Sequence, residues 1–383
     1  MSETIERLRA VDFAEAMEVM DTSFGFDPPT GFPMIHPAIY RPTDEWMRCN
    51  YAIRRGGRIA AVVGVYSRVT AVGETEWRVA GVGGVCVHPD HRRSGLMKLL
   101  MDRAVEDMQG DAHISFLGGQ RQRYAYWGYE KCGMNPVFNV RESNLRHAFD
   151  APPSTIKFEP LGEHYSDRVE ACKAFYDQRP IHGVRPLEDF VKHLLTWRHE
   201  PWVALDEDGI PVGYLTVADK GSGIAELVGV SDDVRVDMVR AWVGRKEGRA
   251  LGVRLQPDDI SLIRLLGTFC ESGRIEPACN WRILDWPVVV DALMKVKHEL
   301  TPLAEGHVVI DVTEARLALT VSGGEASCTE TDEEADLTVP ALDAHRLLFG
   351  PQAPSLVMDL PSGAQSLDGW CPLPLGYAHP DGV

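Results

Sequence analysis

Residues Val82 to Met101 carry the most constraining pattern in the chain: a β-branched apolar run closed by Pro89, a short basic turn with one glycine, then apolar residues in helical rhythm. Strand, turn and helix are predicted in that order. Leu96, Leu99, Leu100, Ala104 and Met108 recur at intervals of three and four, so the helix is expected to lay that face on a sheet. The first amides of a helix have no intrahelical acceptor and carry the positive end of its dipole, so the backbone N–H groups from Arg92 to Met97 make an anion cradle. Arg92 and Arg93 strengthen it, and Gly95, with no Cβ, lets an anion come close to the backbone. Arg-x-x-Gly alone is a common spacing, and an ordinary basic helix start is the plain reading. The preceding Val-x-Val-x-Pro strand and the amphipathic helix behind it give the pattern its specificity.

Charge and cysteine usage narrow the partners. The 383-residue chain carries a net charge of −17, and residues 301–383 hold only two basic residues against thirteen acidic ones. Without a concentrated basic tract, neither nucleic acid nor an anionic membrane is expected as a partner, whereas cationic substrates would be attracted. The eight cysteines form no C-x-x-C pair and no metal-ligand spacing, which reads as reduced thiols in a cytoplasmic protein with no metal site. The first residues lack an apolar leader core, and no apolar run is long enough to span a bilayer. A chain this long is expected to hold two or three domains.

The turn Arg92-Arg93-Ser94-Gly95-Leu96-Met97 resembles the pyrophosphate loop of GCN5-related N-acetyltransferases (GNAT), with Met97 where most members have a small residue. Pro-x-His-Arg-Arg-x-Gly-Leu followed by a large apolar residue is similar to the enhanced-intracellular-survival (Eis) subgroup. The resemblance implies an acetyl-CoA site, with Arg92, Arg93, Ser94, Gly95, Leu96, Met97 and Lys98 at the phosphates. If the strand splays from its neighbour, the backbone of Val85, Cys86 and Val87 can pair with the amide arms of pantetheine as another strand would. Cys86 then reads as a small apolar filler rather than a nucleophile.

From the start of the chain, Ile5–Leu8 is predicted as a strand and Asp12–Met20 as an amphipathic helix. Residues Phe24 to Tyr40 interleave Pro28, Pro29, Pro33 and Pro37 with aromatics, a density that excludes a regular helix. Either this is an irregular loop packed on the core or, as the resemblance implies, it borders the acceptor cleft. Asn50–Arg54 and Ile59–Val69 form a hairpin across Gly56-Gly57, and Thr75–Val79 adds a strand before Val82–Val87. After a strand at Ala112–Leu117, the segment Tyr124-Ala125-Tyr126-Trp127-Gly128-Tyr129 looks like the family's tyrosine region. Tyr124 either packs or serves as general acid, a phenol within reach of a departing thiolate being able to protonate it. Tyr126, Trp127 and Tyr129 are expected to pack.

Residues 150–155, with Pro152-Pro153, read as a linker. Beyond it the element order repeats without a basic-glycine loop: a strand at Ile156–Phe158, helices at Ser166–Tyr176 and Leu187–Trp197, strands at Trp202–Leu205, Pro211–Val217 and Ala225–Val230, and a helix from about Asp233. Asn280-Trp281-Arg282-Ile283-Leu284-Asp285 resembles the element that closes a degenerate second domain in Eis-like proteins. The last hundred residues alternate at Val308–Val312 and Leu317–Val321, then form a helix from Pro340 to Phe349 ended by Gly350.

The expected fold class is therefore α+β: tandem GNAT folds with mixed central sheets and flanking helices, then a sterol-carrier-protein-like α+β domain. The boundaries expected are 1–150, 155–283 and 284–383. The resemblance implies acetyl transfer from acetyl-CoA to a primary amine, on an aminoglycoside- or polyamine-like molecule or a lysine, by direct ternary-complex attack. It also implies a homo-oligomer, a hexamer among its forms, and the carboxylate of Val383 as base beside Tyr124. The alternative is a non-catalytic acyl-CoA or lipid-binding protein that retains the scaffold.

Overall fold

In a computed structural model of the chain, residues 3–26, 31–150, 154–162, 166–218, 221, 223–245 and 250–383 are described; Pro28, Pro29 and the Pro152-Pro153 portion of the expected linker lie outside them. Two compact units form. One comprises Met1–Gly133, Ala278–Pro374 and Val383, the other Met134–Pro277 and Leu375–Gly382.

The opening segment of the first unit holds β1 (Ile5–Arg7), α1 (Phe13–Phe24), α2 (Phe32–Ile35), α3 (Asp44–Met47), β2 (Asn50–Arg55), β3 (Arg58–Val72), β4 (Thr75–Val87), α4 (Leu96–Met108), β5 (Ile114–Leu117), α5 (Arg121–Tyr124) and β6 (Glu130–Cys132). Gly56 and Gly57 both take positive φ and close the β2–β3 hairpin. Two strands expected at Thr75–Val79 and Val82–Val87 are a single one, because Ala80 and Gly81 stay extended opposite Ser67 and Tyr66 of β3. In the proline-rich stretch, α2 is one helical turn with Pro33 near its start, where a missing N–H breaks no bond. On α4, Leu96, Leu100, Ala104 and Met108 are buried together with Met101 and Val105, but Leu99 is 42% exposed. At 100° per residue Leu99 falls on the far side of the arc that Leu100, Ala104 and Met108 define.

The second unit is built from β7 (Asn135–Val140), α6 (Glu142–Ala148), β8 (Lys157–Pro160), α7 (Ser166–Asp177), β9 (Ile181–Gly183), α8 (Phe190–Leu194), β10 (Glu200–Leu205), β11 (Pro211–Ala218), β12 (Gly223–Gly229), α9 (Asp232–Gly244), β13 (Leu251–Arg254), α10 (Ile260–Gly267) and β14 (Ser272–Glu276). Its sheet runs β14-β7-β13-β12-β11-β10-β8, with β12 and β13 parallel. The expected helix Leu187–Trp197 is shorter, since Trp197 and Arg198 adopt left-handed φ of 61° and 59° and break it. Fully buried Arg185 forks onto Glu226 at 3.0 and 2.8 Å and onto Asp381 at 2.8 and 3.0 Å.

The chain then returns to the first sheet. β15 (Cys279–Ile283) pairs antiparallel with both β5 and β6, completing the order β1-β2-β3-β4-β5-β15-β6. Asn280–Asp285 was expected to close the second domain, yet Trp281 and Ile283 stand opposite Phe116 and Ile114, inside the first sheet. In the same way β7, expected within a first domain ending at 150, pairs in the second unit, so the chain changes unit at 133/134 and 277/278. The remainder contains α11 (Trp286–Leu300), β16 (Gly306–Asp311), β17 (Arg316–Ser322), β18 (Glu325–Glu330), β19 (Leu337–Thr338), α12 (Ala341–Phe349), α13 (Pro354–Val357) and α14 (Leu367–Trp370). A separate four-stranded sheet runs β18-β17-β16-β19. His345 of α12, fully buried, accepts from the Ile283 N–H at 3.2 Å and so ties this last region to the end of β15.

Candidate active site

The site is organised by where β4 loses a neighbour. Its ladder with β3 continues to Val87, opposite Ala61, while its parallel ladder with β5 runs from Val79 opposite Ile114 only to Val82 opposite Leu117. Beyond Val82 the strand therefore presents backbone N–H and C=O groups on the side where β5 has ended. Gly84, at φ +59°, sits at a shift in the β3 register that changes the alternation of side chains. Val82, Val85 and Val87 pack on the α4 side with Leu96, Met97, Leu117 and Tyr124. Cys86 packs on the other side with Met20, Phe32, Tyr40, Tyr66 and Val383. Burial pushes the Cys86 thiol up to about 12, so it stays a thiol at neutral pH.

At the end of β4 the chain passes through His88–His91 into the basic turn. Arg93 and Gly95 both take positive φ, 63° and 79°, and a Cβ at Gly95 would meet nothing within 4 Å. The first bond of α4 is Leu99 N to Gly95 O at 3.2 Å, which leaves the N–H groups of Arg93 to Lys98 without an intrahelical acceptor. The Ser94 hydroxyl donates to His91 O and fixes the turn from within. Arg92, Arg93, Gly95 and Lys98 face solvent around it. The Lys98 ammonium, hydrogen-bonded to Asp102 at 2.6 Å, is held above its ordinary range by that carboxylate. Fixed geometry, open space above a glycine and unsatisfied amides together suit a phosphate group.

Tyr124 ends the single turn α5 and is 7% exposed. Its ring lies on Gly119, where a Cβ would come within 2.8 Å of Tyr124 Cε2, and Gly119 takes φ +115°. Burial raises the phenol's pKa, opposed by nearby Arg123, so the group is protonated at neutral pH. Tyr129 is fully buried and shares a hydrogen bond of 2.7 Å with Ser115, and the Trp127 indole donates to Asp102 at 2.8 Å. Tyr126 departs from expectation: it is 67% exposed, edge-on to Trp127, with Lys98 Nζ 5.1 Å from its ring centre. The lysine cation supplies a contact to its exposed ring.

Val383 lies against the glycines of β4. A Cβ on Gly81 would be 2.8 Å from Val383 Cγ1, and one on Gly83 would be 2.9 Å from its carbonyl carbon. Phe116 flanks the same spot, 3.1 Å from the Gly81 position, and its ring packs on Trp281 at 5.5 Å. Sequence reasoning missed Gly81, Gly83, Phe116 and Trp281 as parts of this site. Glycines spaced by two within a strand are the signal that another group approaches the backbone there. An aromatic series from Phe24 through Phe26 and Phe32 to Tyr40 and Tyr66 borders Val383, with neighbouring ring centres 5.1–6.4 Å apart. Of the stretch that sequence left open as loop or cleft border, the described Phe24, Phe26, Phe32 and Tyr40 thus pack as a ladder leading to Val383.

Residues 4–135, which span the strand that parts from its parallel neighbour and the helix start behind it, match the model of a family described as an acetyltransferase (GNAT) domain. Over 287 residues, 70% of each chain, it is 24% identical to the N-acetyltransferase Eis of Mycobacterium tuberculosis. Among solved structures it is similar to a GCN5-related N-acetyltransferase from Kribbella flavida, with a TM-score of 0.69 at 18% identity, covering 100% of this chain and 98% of that one. It is likewise similar to Eis1 from Mycobacterium abscessus, with a TM-score of 0.66 at 17% identity over 99% and 100% of the two chains. The mixed α/β fold of the whole chain is thus shared with acetyltransferases, and among the described residues no cluster of side chains could hold a metal ion.

Proposed function

We propose that the protein transfers an acetyl group from acetyl-CoA to a primary amine, on an aminoglycoside- or polyamine-like molecule or a lysine side chain, by direct attack within a ternary complex. The observation that carries this reading is the end of the β4–β5 ladder at Val82 and Leu117, with the anion cradle at the end of the same strand. When bound, acetyl-CoA supplies a thioester-activated acetyl group. The backbone of Val85, Cys86 and Val87 pairs with the pantetheine amides, and the amides of Arg93 to Lys98 with Arg92, Arg93 and Lys98 take the phosphates. A backbone N–H near Val87 polarises the thioester carbonyl.

Tyr124 acts as general acid and the Val383 carboxylate as base. The nitrogen–carbon bond forms as the carbon–sulfur bond breaks; the ammonium proton passes to the carboxylate and the phenolic proton to the thiolate, which leaves the free thiol. The burial that keeps Tyr124 protonated and the contact of Val383 with Gly81 and Gly83 support these roles. The buried thiol of Cys86 argues against an acyl-enzyme. The second unit is read as an acetyltransferase-like fold without a cofactor, since α9 opens with Asp232 and Asp233, like charges to a phosphate. Residues 284–383 are read as a sterol-carrier-like part with an architectural role, in a cytoplasmic homo-oligomer.

The test is thiol release from acetyl-CoA with panels of aminoglycosides, polyamines and lysine peptides, for wild type, Tyr124→Phe, and a form with residues appended after Val383. Release with one class, at least about tenfold slower for both altered forms, is expected. Full activity of either would remove that group from the mechanism, and no release despite coenzyme A binding would favour the binding-protein reading.

A further inference from the structure

The Tyr124 hydroxyl makes no hydrogen bond among the described residues, so its direction is set by the turn that carries it. That turn is short, four residues long, and cannot hold itself in place. Its start is anchored by Arg121, which sits three residues before Tyr124, one turn back on the same side. The Arg121 guanidinium forks onto the Glu130 carboxylate, Nε to Oε1 and Nη2 to Oε2, the latter at 2.9 Å. Glu130 is only 2% exposed, on β6, and its Oε1 also accepts from the Lys131 N–H at 2.9 Å, so the carboxylate itself has little freedom.

The rest of the loop is tied to the same part of the sheet. Asn280 of β15 donates through Nδ2 to Leu117 O at 3.2 Å and to Gly119 O at 3.1 Å, directly below the Tyr124 ring. Arg282 donates to Trp127 O at 2.7 Å on the far side of the turn. Of these ties, the Arg121–Glu130 fork is charge-assisted and planar, and it is the one made by a side chain of α5 itself.

We propose that Glu130, acting through Arg121, is a positioning residue that aims the Tyr124 hydroxyl at the departing sulfur. This rests on the reading of Tyr124 as general acid. A lysine at 121 could keep the charge but not the two-point fork, so the alignment depends on arginine.

The experiment compares Arg121→Met, Arg121→Lys and the pair Arg121→Met with Glu130→Gln, each in wild-type and Tyr124→Phe backgrounds, by kcat, acetyl-CoA KM and thermal midpoint. The pair leaves no buried charge stranded and keeps the comparison readable if a single variant fails to fold. Expected are a kcat lower by about tenfold with acetyl-CoA KM within about twofold, partial recovery in Arg121→Lys, and no further loss when Tyr124 is already Phe. Wild-type kcat in the paired variant, with Tyr124→Phe still slow, would overturn the positioning role and leave the acid in place. An undiminished loss in the Tyr124→Phe background would show that the pair acts through something else. Full activity of Tyr124→Phe would remove the acid and this inference with it.

Discussion

Gly81 and Gly83 face Val383 at separations that leave no room for a side chain, 2.8 and 2.9 Å from a Cβ built on each. Gly83 is the more telling of the two, because the atom it meets is the backbone carbon of Val383. Gly83→Ala is expected to leave β4 formed, since alanine tolerates extended backbone, while displacing Val383. On the proposed reading of Val383 as base, such a displacement costs about one to two decades in rate, so kcat should fall by at least about tenfold. Steady-state kinetics beside circular dichroism checks this, and an unimpaired, folded Gly83→Ala enzyme would argue that the position of Val383 is irrelevant to turnover. At this scale the basic turn and the helix it opens were legible as local structure, because Arg92, Arg93, Gly95 and the helix behind them are neighbours in sequence. Val383 was nameable only through a family resemblance: no local pattern links residue 83 to residue 383. The exposure of Tyr126 was likewise hidden, an aromatic in a cluster being by default a packing residue.

Elements were easiest to read where their register depends on neighbours in the chain. The β2–β3 hairpin and α4 follow from Gly56-Gly57 and from helical spacing, and both are present. A strand's sheet is another matter: Cys279–Ile283 reads as a buried strand in any sheet, and only tertiary pairing decides that it stands between β5 and β6. Once there it is held by His345, whose Nδ1 donates to Ala341 O at 2.6 Å and whose Nε2 accepts from Ile283 N–H. The bond accepted at Nε2 requires the neutral ring. Burial lowers its pKa below the usual 6.5, only partly offset by the bond to Ala341 O. The unfolded chain therefore binds a proton here more readily than the folded one. This contribution to stability is complete above about pH 6.5 and is lost as pH falls below it. His345→Phe leaves the buried Ile283 N–H unpaired and should cost about 1–3 kcal/mol at pH 7.5. Urea midpoints at pH 7.5 and 5.5 should show a smaller acid-side loss in the variant than in wild type. Equal losses would mean that another group carries the acid sensitivity.

Across the whole molecule, each compact unit is assembled from separated pieces of chain. The expected division at residue 150 would give a fragment without β15, the strand that joins β5 to β6, and leave Phe116 and Cys132 without their strand partners Trp281 and Cys279. Residues 1–150 expressed alone should therefore lack a cooperative thermal transition, and adding residues 278–383 as a second polypeptide should restore one, as followed by circular dichroism. A fragment 1–150 that melts cooperatively by itself would contradict this.

The same interruption has a consequence during synthesis. The ribosome finishes β6 roughly 150 residues before it reaches β15. At about 5–20 residues per second, the first sheet waits on the order of ten to thirty seconds with the facing edges of β5 and β6 bare. Bare strand edges invite the wrong partner. In that interval a nascent chain on a crowded polysome is exposed to pairing with its neighbours, so the yield of folded protein should depend on translation speed between residues 133 and 279 and on chaperones that shield the emerging sheet.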